Sequence, residues 1–354
     1  MPKFKEHLSC LYRVNYEKSR HGYLRLDMNE NVVGLPKDFI DNVLNKVTPE
    51  YLSSYPEYTK LKNKLAAANN LLTANIILGN GSDAIIKYIF DAYISNGDNI
   101  LLTDPAFAMY PIYSKMFNAN TVNITYNSDL SFPKDVFLDS INSDIKMAVL
   151  VNPNNPIGTG VDEEYVIKLL DKAKANSVFT IIDEAYFYFY PKTFIKYIKK
   201  YDNLIVLRTF SKLCGIASAR IGFAAASPKI IDNLNKVRPT FDVNGLAVLF
   251  AEAIIDNEYI IKDQITIVRD GKEFIINKLK ENSINYRDSE ANFILIDCEN
   301  LENANRIKQE LEKDKILVSS GFRQKFLEKY IRVTIGSKEQ MDKFYGRFSF
   351  YVIK

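Results

Sequence analysis

Histidine and cysteine are scarce in this 354-residue sequence: two histidines, His7 and His21, three cysteines, Cys10, Cys214 and Cys298, and no tryptophan. With both histidines near the N-terminus, a histidine-centred metal site or a Ser-His-Asp triad has little material to work with. The cysteines are too few and too far apart for a disulfide framework or a cysteine zinc site, and their sparseness fits a reducing cytoplasm. No apolar run reaches the length of about 18 residues that a membrane span needs, and Met1 to Arg20 lacks the apolar centre of a secretory signal. A net charge of +3 leaves no nucleic-acid footprint. Acid–base chemistry therefore falls to lysine, tyrosine and the carboxylates.

What is present is ordinary globular material, 47% apolar and 25% charged, enough for about two domains. Short apolar runs alternate with helical-period segments from Ile76 onward. Strands are predicted near 76–79, 99–103, 121–125, 147–151, 178–182 and 204–207, with helices between most of them. That alternation predicts a mostly parallel sheet with helices on both faces, in which ligands lie outside the carboxyl ends of the strands. After Phe223 the pattern loosens into a last third that reads as a separate α+β lobe, with a long helical segment over 247–279 broken near Asp256 and Asn257.

Chemistry-bearing motifs cluster at the strand ends. Gly79-Asn80-Gly81-Ser82-Asp83 leads from a strand into a helix, where backbone N–H groups and the helix dipole close on an anion; such turns are also common without a ligand. Asp104-Pro105-Ala106-Phe107 and Asn152-Pro153-Asn154-Asn155-Pro156-Ile157-Gly158 follow the next strands. Asp183-Glu184-Ala185-Tyr186 ends an apolar strand, and its first carboxylate reads either as a helix cap or as a desolvated group that wants a partner. Arg208 to Phe223 places Lys212 among apolar and small residues with Arg208 and Arg220 as cationic neighbours, a setting that lowers a lysine pKa and makes it a nucleophile. Taken alone, the same stretch also suits a buried turn with a snorkelling lysine. Arg332 interrupts a β-type run and reads equally as a solvent-facing strand residue. Tyr55 and Tyr58 occupy an aromatic loop and could simply pack on their own domain.

In this order the motifs resemble the class I/II, fold-type I aminotransferases that use pyridoxal 5'-phosphate, and most of all their histidinol-phosphate aminotransferase branch. The resemblance covers nearly the whole chain. It implies an α/β fold: a large domain with a mostly parallel, mixed seven-stranded sheet between helices, plus a smaller α+β domain. Residues 1–30 would form an N-terminal arm and part of the small domain, 31–245 the large cofactor-binding domain, and 246–354 the small C-terminal domain. It implies Lys212 as the Schiff-base and proton-moving lysine, Asp183 as the partner of the pyridine nitrogen, and Asn155 and Tyr186 at the ring oxygen. Phe107 would stack on the ring, and Gly81, Ser82, Asp83, Thr209, Ser211 and Arg220 would hold the phosphate. Tyr55 would reach the cofactor phosphate of a second subunit, which implies a homodimer with composite sites. Arg332, Tyr16, Asn29 and Arg323 would face the substrate.

The implied activity is ping-pong amino transfer from a donor such as glutamate to a small phosphorylated substrate, of histidinol-phosphate type or a simpler amino-alcohol phosphate, in cytoplasmic amino-acid biosynthesis. The same cofactor residues also suit a phosphoamino-acid decarboxylase or an aromatic aminotransferase; a binding protein that has lost catalysis has no reason to keep them. Two positions depart from the branch: Ser319 stands where an arginine is common, with Arg323 as the candidate replacement, and Ala84 stands where an acid is common. No metal, membrane or nucleic acid is implied.

Overall fold

The structure, a computed structural model, describes residues 4–9, 11 and 19–352. Its first half runs β1 (Leu24–Leu26), α1 (Lys37–Leu44), α2 (Pro49–Ser53), α3 (Thr59–Ala68), β2 (Ile76–Gly79), α4 (Ser82–Tyr93), β3 (Asn99–Asp104), α5 (Met109–Met116), β4 (Asn120–Thr125), α6 (Lys134–Asp139) and β5 (Ile145–Val151). There follow α7 (Glu163–Ala175), β6 (Phe179–Asp183), β7 (Leu204–Thr209), β8 (Gly222–Ala226), α8 (Pro228–Val237), α9 (Gly245–Asp256) and α10 (Glu258–Glu281). The chain closes with β9 (Tyr286–Arg287), β10 (Phe293–Asp297), α11 (Leu301–Lys313), β11 (Ile316–Val318), β12 (Tyr330–Thr334) and α12 (Lys338–Val352).

A seven-stranded sheet in the order β2-β8-β7-β6-β5-β3-β4 organises the first two thirds. Only β8 runs against the rest, pairing antiparallel with both β2 and β7. The sheet is therefore mixed and mostly parallel. Its central strands are apolar without alternation because helices cover both faces: Leu204, Ile205, Val206 and Leu207 are all fully buried. The helices start where local chemistry permits. At α7, the Asp162 carboxylate accepts the Tyr165 N–H, acidic residues follow in the first turn, and Lys172 and Lys174 close the last.

β8 escapes a reading by propensity, because Gly222-Phe223-Ala224-Ala225-Ala226 is poor in β-branched residues. It forms a strand because both of its edges are already paired and only small side chains fit beneath α8 and α4. Outside this sheet lie a three-stranded antiparallel sheet, β12-β10-β9, and the parallel pair β1-β11, joined by a bridge between Ser319 and Arg332. Strand β1 comes from the N-terminal end and packs Leu26 into the same core as Val318 and Ile331. Helix α9 starts at the position read as a boundary, 245, yet Ala247, Val248, Ala251 and Ile254 join the core of the large sheet; Val268 of α10 is in the small one.

Arg208 does not face Lys212, as its place in the sequence suggests. Its Nε donates to Glu184 Oε2 at 2.9 Å and its Nη2 to Thr193 Oγ1 at 2.7 Å, with the guanidinium 3.4 Å from the Phe187 ring centroid. Glu184 also accepts the Phe194 N–H at 2.6 Å. This buried pair ties β6 to β7 beneath the site. Replacing Glu184 with alanine leaves an unpaired buried guanidinium, so Glu184→Ala is expected to lose about 3–5 kcal/mol of stability, read as an earlier urea transition. A midpoint equal to wild type would contradict this role.

Candidate active site

The carboxyl ends of β2, β3, β5, β6 and β7 open onto one cavity of about 120 Å³. Ser82, Asp83, Phe107, Asn155, Asp183, Tyr186, Thr209, Ser211, Lys212 and Arg220 line it, together with Val151 and Ala185. Loops separated by more than a hundred residues thus meet at a single point.

Lys212 is half-buried, and its Nζ donates to the Met28 carbonyl at 3.1 Å. Burial is the main cause, and the positive charge of Arg332 the next, of a pKa brought down to about 8; Arg220 adds only a minor push. The cation that matters most to this lysine is therefore Arg332 rather than Arg208. Asp183, the last residue of β6, accepts the Tyr110 O–H at Oδ2 (2.8 Å) and the Ala185 N–H at Oδ1 (3.1 Å). It serves as a buried acceptor and does not cap a helix. Burial pushes its carboxyl up to about 6 against the opposing pull of those two hydrogen bonds.

Tyr186 is buried, which pushes its phenol up to about 12, and its oxygen accepts from Asn29 Nδ2 at 2.8 Å. Asn155 Oδ1 accepts from Arg332 Nη1 at 2.5 Å, while Arg332 Nη2 reaches the Asp27 carbonyl at 2.7 Å. The Arg332 guanidinium lies 5.4 Å from the Phe293 ring centroid, and its Nε is buried with no hydrogen-bond partner among the described residues. Although it interrupts an apolar strand, Arg332 points inward. Ser319 is paired across from it, so a short hydroxyl rather than a second cation neighbours Arg332 on that strand.

At the opposite wall, α4 begins at Ser82 with no side chain capping it, which leaves first-turn N–H groups for an anion. Gly81 takes φ 75°, and a Cβ there would collide with the Arg220 guanidinium. Arg220, itself left-handed at φ 56°, sends Nη1 toward Ser211 Oγ (3.4 Å) and Nη2 toward Asp83 Oδ2 (3.3 Å). A Cβ on Gly222 would meet Ser82 N and Arg208 O, so backbone alone fits where β8 passes α4.

Asn29, expected to face the substrate, does not itself line the cavity but stands behind Tyr186, and the segment Asp27 to Asn31 that carries it is the junction of the site. Asn29 adopts φ 56° and is buried; its amide N–H donates to Thr334 Oγ1 at 3.0 Å, and its carbonyl accepts from Asn292 Nδ2 at 3.1 Å. Asn31 Nδ2 donates to the Leu213 carbonyl and to Gln264 Oε1. Arg20 pairs with Asp27 and Glu30, and Arg25 with Glu30.

The remaining candidates lie elsewhere. Tyr55 is 74% exposed, stacked 4.3 Å from Phe241, and does not line the cavity. Arg323 is exposed and lies outside the cavity lining. Tyr16 falls outside the described residues. Tyr110, Met28 and Asp27 also reach the site from outside the motifs. Only Tyr110 left a signal: it lies three residues after Phe107 at the start of α5, and the two rings meet edge to face at 6.2 Å. Among the described residues, no group of His, Cys, Asp and Glu side chains could hold a metal ion.

The neutral form of Lys212 grows as pH rises through about 8, whereas a lysine in water reaches that point only near 10.5. Reductive methylation with formaldehyde, followed by peptide mass spectrometry, is expected to modify Lys212 with a midpoint near pH 8. A midpoint equal to that of exposed lysines would contradict the burial effect.

The family model for aminotransferase class I and II matches residues 22–348. A histidinol-phosphate aminotransferase of Caldanaerobacter subterraneus subsp. tengcongensis is 36% identical over 333 residues, 93% of each chain. Another, of Brachyspira hyodysenteriae, is 34% identical over 350 residues, 97% of this chain and 96% of that one. A crystal structure of histidinol-phosphate aminotransferase from Sinorhizobium meliloti, in complex with pyridoxal-5'-phosphate, superposes with a TM-score of 0.90 at 22% identity, covering 99% and 98% of the two chains. A family model that spans most of the chain, together with relatives 34–36% identical over nearly its full length, makes this chain a member of the class I and II aminotransferase family.

Proposed function

We propose that this protein is a pyridoxal 5'-phosphate-dependent aminotransferase acting on a small phosphorylated substrate of histidinol-phosphate type, with glutamate as donor. The observation that carries the reading is the shared cavity: a half-buried lysine whose pKa desolvation and Arg332 bring down to about 8, a buried carboxylate, and an uncapped helix start beside an arginine. These groups fit the cofactor. The first-turn N–H groups of α4, the hydroxyls of Thr209 and Ser211, and Arg220 suit a phosphate, because N–H and guanidinium donors match its oxygens. Asp183, with both oxygens already oriented, suits a protonated ring nitrogen. Phe107 supplies an apolar face, and Asn155 and Tyr186 supply polar edges.

The cofactor, when bound, supplies an electron sink for the substrate α-carbon. Lys212 moves the proton at that carbon, a role suited to an amine whose pKa lies close to working pH. Asp183 keeps the negative charge that holds the ring nitrogen protonated. Arg332, with a buried Nε still free of protein partners, binds the anionic end of the substrate. Names of relatives more than 30% identical over most of the chain support the histidinol-phosphate class.

The same proposal takes 31–245 with α9 as the large unit and the remainder, with β1, as the small one. It takes a second copy of the chain as the partner that covers exposed Tyr55, Phe241 and Leu52. No helix among the described residues is long and apolar enough to cross a membrane; we place the protein in the cytoplasm.

Protein loaded with pyridoxal 5'-phosphate and mixed with L-glutamate is expected to release 2-oxoglutarate and to change its visible absorbance, and the aminated protein to act on imidazole-acetol phosphate. Release of carbon dioxide from phosphoserine or phosphothreonine, without amino transfer to any acceptor, would contradict the proposal. Lys212→Ala is expected to keep the fold and lose at least about 100-fold in kcat, the lower end for a general acid–base group; retention of activity would remove Lys212 from the chemistry.

A further inference from the structure

We propose that Tyr110 is a positioning residue for Asp183: its hydroxyl fixes the carboxylate so that one lone pair of each oxygen faces the cavity, while its ring braces Phe107. The inference rests on the functional reading above.

Tyr110 is fully buried at the start of α5, and its place is set independently of any ligand. Its amide N–H donates to the Phe107 carbonyl at 3.1 Å, and Ser114 Oγ donates to its carbonyl at 3.0 Å. Its ring lies edge-on to Phe107, with centroids 6.2 Å apart at 78°. The phenol has one proton, and it goes to Asp183 Oδ2 at 2.8 Å. An ionised carboxylate can only accept, so this bond favours the charged form.

The second oxygen is tied by the Ala185 N–H. Two donors on two oxygens stop the carboxylate from turning and leave acceptor capacity on the cavity side. Asp83 on α4 and the adjacent Glu184 both disfavour a negative charge on Asp183; the cations Lys212 and Arg220 line the same cavity. Tyr110 is therefore the side-chain donor that opposes burial and keeps Asp183 an acceptor.

Because one residue touches both the carboxylate and the residue that lines the cavity beside it, a generic packing role must be separated from action through Asp183. Tyr110→Phe keeps the ring and deletes only the hydroxyl. The affinity of the apoprotein for pyridoxal 5'-phosphate and for its deaza analogue, in which C–H replaces the ring nitrogen, is measured for wild type, Tyr110→Phe, Asp183→Asn and the double variant. We expect Tyr110→Phe to weaken the natural cofactor about tenfold, in line with one charge-assisted hydrogen bond, and to leave the analogue within about twofold of wild type. In the Asp183→Asn background the same change is expected to have little further effect, because coupled residues are not additive. Equal affinity of Tyr110→Phe and wild type for the natural cofactor would overturn the proposal, as would an equal loss for both ligands. A wild type that binds neither ligand would instead refute the functional reading itself.

Discussion

A lysine and a carboxylate can be buried together at the ends of adjacent strands only if the protein supplies partners that compensate lost water, and this requirement shapes the rest of the structure. Asp183 draws its partners from the large unit, Tyr110 and the Ala185 amide. Lys212 draws on the segment Asp27 to Asn31, through the Met28 carbonyl. The neighbouring carbonyl of Asp27 takes Arg332, and the Asn29 side chain takes Tyr186. Through Thr334, Asn292 and Gln264 the same segment binds β12, the residue before β10, and α10. Lys212 and Arg332 therefore lean on one short piece of backbone.

The sheet makes this economy of contacts possible. Six strands run the same way, so their carboxyl ends, and the loops that follow them, gather on one edge. The reversed strand β8 brings Arg220 back across the start of α4, where only glycine at 81 and 222 leaves room. The proposed phosphate site thus depends on missing side chains as much as on donors present. Behind it, the Arg208–Glu184 pair locks the ends of β6 and β7 and sends a cation away from the cavity that its place in the sequence suggests it would enter.

Much of this was legible beforehand. Apolar runs without alternation gave the central parallel strands, and motifs at strand ends had to converge because parallel ends converge. The break near Asp256 fell where α9 passes to α10. What sequence order could not supply was tertiary. Arg332 lies 120 positions from the lysine it depresses, and nothing local distinguishes its inward orientation from a solvent-facing strand residue. Asn29, expected to face the substrate, is buried at φ 56° and acts through Tyr186 and Thr334. Tyr110 sits in a motif read for its phenylalanine, and its hydroxyl gains meaning only once β6 is beside α5. β8 is a strand by confinement, since its alanines have no such preference of their own.

The central claim is that one half-buried lysine, held between Met28 and the charge of Arg332, is the attachment point for the cofactor. Reduction of the cofactor-loaded protein with borohydride, followed by mass spectrometry of its peptides, tests it most directly. The account predicts a stable phosphopyridoxyl addition on the peptide that carries Lys212, with no comparable addition on any other lysine. Addition spread over surface lysines, with the Lys212 peptide unmodified, would contradict it.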